Sequence, residues 1–348
     1  MFLKNRIKPD FKRSHSICLL FTKFLLLICI VTCFILSIIS FRKATLHLNS
    51  SNINETVSSL LQCPHINQSR VHIGRKHFSQ SRVIIAGLIR DREEHIESLR
   101  LQLYSLTRSF ADYAIVIVEN DSKDRTREKL LEWTKHDSHV HIIGCGDSPS
   151  CQLSLAETKR QFRPEISRIQ KMVRLRNIYL DYIDNHQQLS QYDYLIVEDF
   201  DLKTYTYTDG LYSTGFHFQN DSSINAICSN GIYYNRLLNN LISYETYFDP
   251  YAHKDQYNLN WSMVYNDLWS TMFRQYACQK DLISVYSCFS GRTIYRYRSI
   301  RGKHYRTYLD RNQQAICEHV GLHEYFPNIY LNSEMIFYVV ANNIVKNK

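Results

Sequence analysis

Apolar positions recur along the chain in two alternating rhythms. RVIIAGL (82–88), YAIVIVEN (113–120), HVHIIG (139–144) and YLIVEDFDL (194–202) are short, β-rich runs bounded by polar residues, the pattern of strands buried on both faces. Between them, DREEHIESLRLQLYSLTRSF (91–110) sets Ile96, Leu99, Leu103 and Leu106 at helical spacing, with Asp91, Glu93 and Glu94 suited to a first turn. DRTREKLLEWTKH reads as a second helix. A third, over 166–184, carries Ile169, Met172, Val173, Leu175, Ile178, Tyr179 and Ile183 on one side. SINAICSN (223–230) is a fifth strand candidate; beyond it Tyr and Asn become abundant and the periodicity blurs. The alternation predicts an α/β class, with a mostly parallel sheet and helices on both faces.

A different rhythm precedes the body. ICLLFTKFLLLICIVTCFILSIIS (17–40) has Lys23 as its only charge, enough apolar length to cross a hydrocarbon core of about 30 Å. It exceeds the usual h-region of about 7–15 residues, and no A-x-A-like site follows it, so it reads as an uncleaved signal anchor. Lys4, Arg6, Lys8, Lys12 and Arg13 precede it, whereas only Arg42 and Lys43 follow closely, which keeps the N-terminus cytoplasmic. The expected organisation is a tail (1–16), a transmembrane helix (17–40), a polar stem (41–80) and a lumenal body (81–348). That body divides into a periodic part (81–230) and a less regular part (231–348).

Composition then narrows the function. With 348 residues, 44% hydrophobic and 13% aromatic, the chain can bury a large core. Of the formal charge of +9, seven units lie in residues 1–44, leaving two for the rest; no nucleic-acid partner is implied. Six N-x-S/T sequons begin at Asn49, Asn54, Asn67, Asn120, Asn220 and Asn260 and suit a lumenal chain. Seven cysteines lie beyond the span; Cys145 and Cys151 could close a local loop, although spacing alone assigns no pairing.

In a parallel sheet, ligands bind beyond the carboxyl ends of strands. Three ends carry polar residues: Leu88 to Asp91, Glu119 to Asp124 and Glu198 to Asp201. D-x-D after an apolar strand lets two carboxylates share one hard cation, Mg²⁺ or Mn²⁺, which can neutralise a diphosphate. An acidic strand end is also commonly a solvated turn or a cap.

VIVENDSKDRT (116–126), SRIQKMVRLRN (167–177) and YLIVEDFDL, in that order, resemble the nucleotide-sugar-binding half of GT-A-fold (Rossmann-like) glycosyltransferases. The E-N-x-S-x-D-x-T segment further resembles the fungal capsule-associated mannosyltransferase family. The resemblance implies a metal-dependent transfer of a sugar from a nucleotide-sugar donor to a glycan or glycoprotein hydroxyl, by a type II protein of the Golgi or ER membrane. It implies nucleotide contacts at Arg90, Glu119 and Asp124, and Arg176 and Asn177 beside the nucleotide or diphosphate. Asp199 and Asp201 would meet the ribose and metal. His319, in CEHVGLH (317–323), would complete the metal shell, and Glu318 could act as general base; each also reads as an ordinary structural group. A non-catalytic binding protein on the same fold, and a nucleotidyltransferase or hydrolase, are the alternative classes.

Overall fold

The computed structural model describes residues 28–36, 66–144, 166–237, 242–255 and 281–340. The chain divides into two units, residues 1–51 with 235–244, and residues 52–234 with 245–348. In the first, residues 28–36 are helical and exposed. The rest of the expected anchor, together with Cys145 and Cys151, lies outside the described residues, among which no helix is long and apolar enough to cross a membrane.

The second unit is built on the predicted strands β1 (Arg82–Ile89), β2 (Asp112–Glu119), β3 (Val140–Ile143) and β4 (Tyr194–Glu198). These four are parallel, in the order β3-β2-β1-β4, with Ile89 beside Glu119 and Ala86 beside Val197. Their apolar runs are buried on both faces, as the absence of alternation requires. Helices α2 (Ile96–Thr107), α3 (Thr126–His136) and α4 (Ile166–Asn185) fill the crossovers. Ile96, Leu99, Leu103 and Leu106 are all buried in the shared core.

The expectation of a mostly parallel sheet does not hold. Past β4 come β10 (Arg292–Arg296), β6 (Ala226–Leu237), β11 (Ile329–Val340), β9 (Ile283–Ser287) and β8 (Lys254–Asp255), while β5 (Thr204–Thr206) pairs β11 and β7 (Ile242–Tyr247) pairs β6. β10 runs antiparallel to both β4 and β6, so the sheet is mixed. The sequence hides this strand because RTIYR begins and ends on arginine. Arg292 is nevertheless 1% exposed, because Glu198 faces it in register.

Two further expectations shift. The polar stem does not extend to residue 80: α1 (Gln68–Phe78) packs on α5 (Thr208–Asn220), with Phe78 fully buried. A side chain at Gly74 would lie 1.7 Å from the Tyr212 carbonyl, so glycine permits that crossing. Asp91, Glu93 and Glu94 are not the first turn of α2, which starts at Ile96. They form a separate loop whose role emerges at the site.

Candidate active site

The β4 strand ends at Glu198, and Asp199, Phe200 and Asp201 form a turn, not the extended backbone expected of D-x-D. Phe200 is fully buried against Gly87 of β1, where a Cβ would come within 2.5 Å of its ring. Driving that ring inward leaves the flanking carboxylates at the rim. The turn is tied further by Asp199 N–H donating to Gly291 O (3.1 Å) and by Arg92 Nε donating to the Asp201 carbonyl (2.8 Å). Beneath it, Arg292 donates through Nε (2.9 Å) and Nη2 (2.6 Å) to Oε2 of Glu198, whose Oε1 accepts from Gln102 (2.9 Å). Glu198, given no role by sequence, therefore anchors the base of the turn.

At the ends of β1 and β2 the two polar loops are zipped together. Asp91 N–H donates to Ser122 Oγ (3.0 Å), Arg92 N–H to Thr126 Oγ1 (2.7 Å) and Glu93 N–H to Asp124 Oδ2 (3.0 Å). In return Lys123 N–H donates to Asp91 Oδ1 (2.7 Å) and Arg125 N–H to Glu93 Oε2 (2.8 Å). Asp124 Oδ1 also accepts from the N–H of Thr126 (2.9 Å), the first residue of α3. Burial opposes its charge, but the Thr126 and Glu93 hydrogen bonds hold its pKa below the ordinary carboxylate value. Glu119 is fully buried and accepts from Ser122 N–H (2.6 Å) and Arg127 Nε (2.9 Å). The Glu, Ser, Asp and Thr of E-N-x-S-x-D-x-T thus build the rim, where the carboxylates of Glu119 and Asp124 accept hydrogen bonds. Arg90 leans on Asp91 (3.3 Å). Asp121, not singled out from sequence, sits at φ +51° with a buried Oδ2 that has no partner; burial and then the Glu119 charge raise its pKa.

The most distant sequence candidates meet around Arg176. Its side chain, 4% exposed, donates from Nη2 to Asp199 Oδ1 (3.3 Å) and from Nε to Glu318 Oε1 (3.1 Å), while Nη1 has no partner. The guanidinium lies over the rings of Phe289 (5.1 Å) and Tyr305 (5.7 Å), a favourable cation–π seat when desolvated. Asn177 exchanges hydrogen bonds with the Tyr305 backbone, donating from Nδ2 to O (3.0 Å) and accepting from N–H (2.7 Å). It fixes that wall rather than offering its amide to the rim.

His319, on α7 (Glu318–His323), stacks on Phe289 at 3.8 Å; burial, then Arg176 and His323, lower its pKa well below the ordinary histidine value. Both its ring nitrogens are unpartnered, and Nε2 stands 4.0 Å from Glu318 Oε1. His323, four residues on, is held structurally by Ser287 Oγ (2.9 Å) and Tyr295 OH (2.8 Å). Glu318 is only 6% exposed, with Arg176 on Oε1 and the Cys317 thiol 3.6 Å from Oε2. It positions Arg176 from below.

Asp199 sits where burial opposes its charge. Burial first, and the neighbouring charges of Asp201 and Glu318, push its pKa up to about 7 against the pull of Arg176. Hard carboxylate oxygens and an unpartnered imidazole are donors that Mn²⁺ or Mg²⁺ accepts. Among the described residues, however, no three His, Cys, Asp or Glu side chains are already gathered as a ligand set.

Asp249, given no role by the sequence, feels the charge of this cluster: burial, then the charges of Asp199 and Glu318, raise its pKa well above the ordinary value. Its signal, a lone Asp-Pro turn, carries nothing without the long-range contacts.

No curated protein matches the chain. Among solved structures, residues 1–349 of TarS from S. aureus, in complex with UDP-GlcNAc, are 12% identical, with a TM-score of 0.43 over 75% of this chain. The match spans 59% of that TarS chain. Mannosyltransferase PcManGT from Pyrobaculum calidifontis, in complex with GDP-Man and Mn²⁺, is 10% identical over 86% of this chain and 68% of its own, with a TM-score of 0.37. GalNAc-T7 with UDP, GalNAc and Mn²⁺ is 10% identical over 76% and 44%, with a TM-score of 0.41. The match of residues 82–322 to the family described as Cryptococcal mannosyltransferase 1 covers most of the second unit and agrees with the resemblance carried by E-N-x-S-x-D-x-T: the chain belongs to that family.

Proposed function

We propose that the protein transfers a sugar, mannose by its family, from a nucleoside-diphosphate donor to a glycan or glycoprotein hydroxyl. The observation that carries this reading is that the family match over 82–322 contains every residue of the Arg176 cluster: Asp199, Asp201, Glu318 and His319 besides Arg176 itself. The zipped loops after β1 and β2 form the nucleotide side, where Arg90 and Asp121 present groups to the rim. Arg176, desolvated and held by Glu318, supplies fixed positive charge beside Asp199, where a diphosphate leaving group gathers negative charge. Asp199 and Asp201, with His319, would hold a divalent cation, which when bound neutralises the diphosphate. Burial and then the Asp201 and Glu318 charges, which raise the Asp199 pKa against the pull of Arg176, are what a bound cation would offset.

A lumenal setting, with residues 17–40 as a membrane anchor in the Golgi or ER, is part of the proposal. The Cys228–Cys288 disulfide, which ties β6 to the segment before β10, suits an oxidising compartment. The test is release of GDP from GDP-mannose by the purified full chain with Mn²⁺ or Mg²⁺. Asp199→Asn with Asp201→Asn should abolish it. A wild type that releases no nucleoside diphosphate from GDP or UDP sugars with either ion, or that releases pyrophosphate instead, refutes the reading.

A further inference from the structure

The turn after β7 brings a carboxylate to the transfer site that no motif announced. Three anchors place it. Tyr247 OH hydrogen-bonds Ser290 Oγ (2.5 Å), next to Gly291, the residue whose carbonyl holds Asp199 N–H. Phe248 N–H donates to Gly231 O (3.0 Å). On the other side Tyr251 OH donates to the Ala315 carbonyl, three residues before Glu318. The turn between these anchors therefore spans from the D-x-D support to the base of α7, and Asp249 lies in its middle.

The local conformation is unusual for its residue type. Asp249 has φ +63°, a left-handed backbone that Asp and Asn adopt more readily than most residues but still at some strain. Its Oδ1 accepts Ala252 N–H (3.3 Å), and Oδ2 carries no hydrogen bond. Glu318, the sequence candidate for general base, is enclosed and already accepts from Arg176 on one oxygen and the Cys317 thiol on the other. The surroundings are prepared for a polar ligand: His319 is 1% exposed with both ring nitrogens unpartnered, Nε2 aimed toward Glu318, and Arg176 Nη1 is likewise unpartnered. Buried polar atoms left unmatched in this way mark a place where a ligand completes the hydrogen bonding.

We propose that Asp249 binds the acceptor, its open Oδ2 accepting the hydrogen bond of the sugar hydroxyl that receives the transferred residue. The inference rests on the glycosyltransferase reading above. Asp199 and Arg176 take the diphosphate side, and Asp249 comes from the second half of the chain.

The experiment compares Asp249→Asn and Asp249→Gly, both of which tolerate the left-handed backbone, in the purified full chain. GDP-mannose with Mn²⁺ is the donor, and methyl α-mannoside and α-linked mannobioses are the acceptor probes; free mannose and the new mannoside are quantified separately. GDP-mannose binding and donor hydrolysis, measured in parallel, set the scale against which the loss of transfer is read. Transfer to the mannoside should fall about 10- to 100-fold, the loss expected for one charge-assisted hydrogen bond. Transfer within threefold of wild type, or hydrolysis and donor binding lost together with transfer, overturns the inference. So does a wild type that hydrolyses the donor but transfers to no hydroxyl in the panel. A wild type that neither hydrolyses nor transfers any donor instead removes the glycosyltransferase reading, and this inference with it.

Discussion

Replacing Arg292 by methionine removes the cation beneath the D-x-D turn while keeping much of its volume. Both partners of the Arg292–Glu198 pair are 1% exposed, and two of the guanidinium N–H groups converge on one carboxylate oxygen at 2.9 and 2.6 Å. After the substitution Glu198 keeps only Gln102 as a side-chain donor, so the buried carboxylate must either stay charged at high cost or take up a proton. Breaking one side of such a pair costs about 3–5 kcal/mol, a lowering of the melting temperature by very roughly 6–15 °C for a body of this size. The companion Glu198→Met with Arg292→Met removes both charges and should recover at least half of the loss, because an apolar pair of similar volume avoids the unpaired carboxylate. Urea unfolding of the two single variants and the double variant gives the coupling energy directly. A cost below about 1 kcal/mol for Arg292→Met, or a double variant as unstable as the sum of the singles, would refute the anchoring role.

Asp199→Asn should change the pH profile of stability. The folded pKa of about 7 lies above the ordinary 3.8, so between these values the folded chain holds a proton that the unfolded chain has released, and wild-type stability falls as pH rises from about 4 to 7. The variant lacks that decline and should gain about 2–4 kcal/mol on wild type over this window; parallel urea-unfolding curves at pH 4.5, 6 and 7.5 would sink the assignment. Asp124→Ala strips the acceptor from two backbone N–H groups and should cost about 1–2 kcal/mol, with hydrogen exchange rising at Glu93 and Thr126 before the rest of the sheet. Arg176→Lys loses the fork that spans Asp199 and Glu318 and should lower donor turnover at least 100-fold, read as GDP release; near-wild-type release would remove Arg176 from the site. Replacing Cys228 and Cys288 by serine opens a link 60 residues long and should destabilise the chain by up to about 4 kcal/mol in denaturant unfolding.

Local physics explains what the sequence could carry. The runs 82–88, 113–120 and 194–198 became β1, β2 and β4 because a strand buried on both faces needs no partner to be recognised. Arg176 and Asp199 were legible as a helix residue and a strand end that topology must bring to one rim. What stayed hidden is pairing across distance. Arg176 and Glu318 lie 142 residues apart, and only the folded sheet shows that one positions the other. The acids at 91, 93 and 94 fit a helix N-terminus equally well in one dimension; the deciding fact, that Ser122, Lys123, Asp124, Arg125 and Thr126 offer complementary donors and acceptors across the loop, belongs to the parallel register of β1 with β2.

The missed strand β10 states the general point. Periodicity scores a charged residue as surface, yet a charge in a core slot is tolerable when an opposite charge shares the slot. Glu198, at the end of an otherwise apolar run, was such a charge, and its burial required a cation from elsewhere in the chain. Once that demand is taken literally, RTIYR becomes a strand candidate whose leading arginine faces Glu198 of β4 in register.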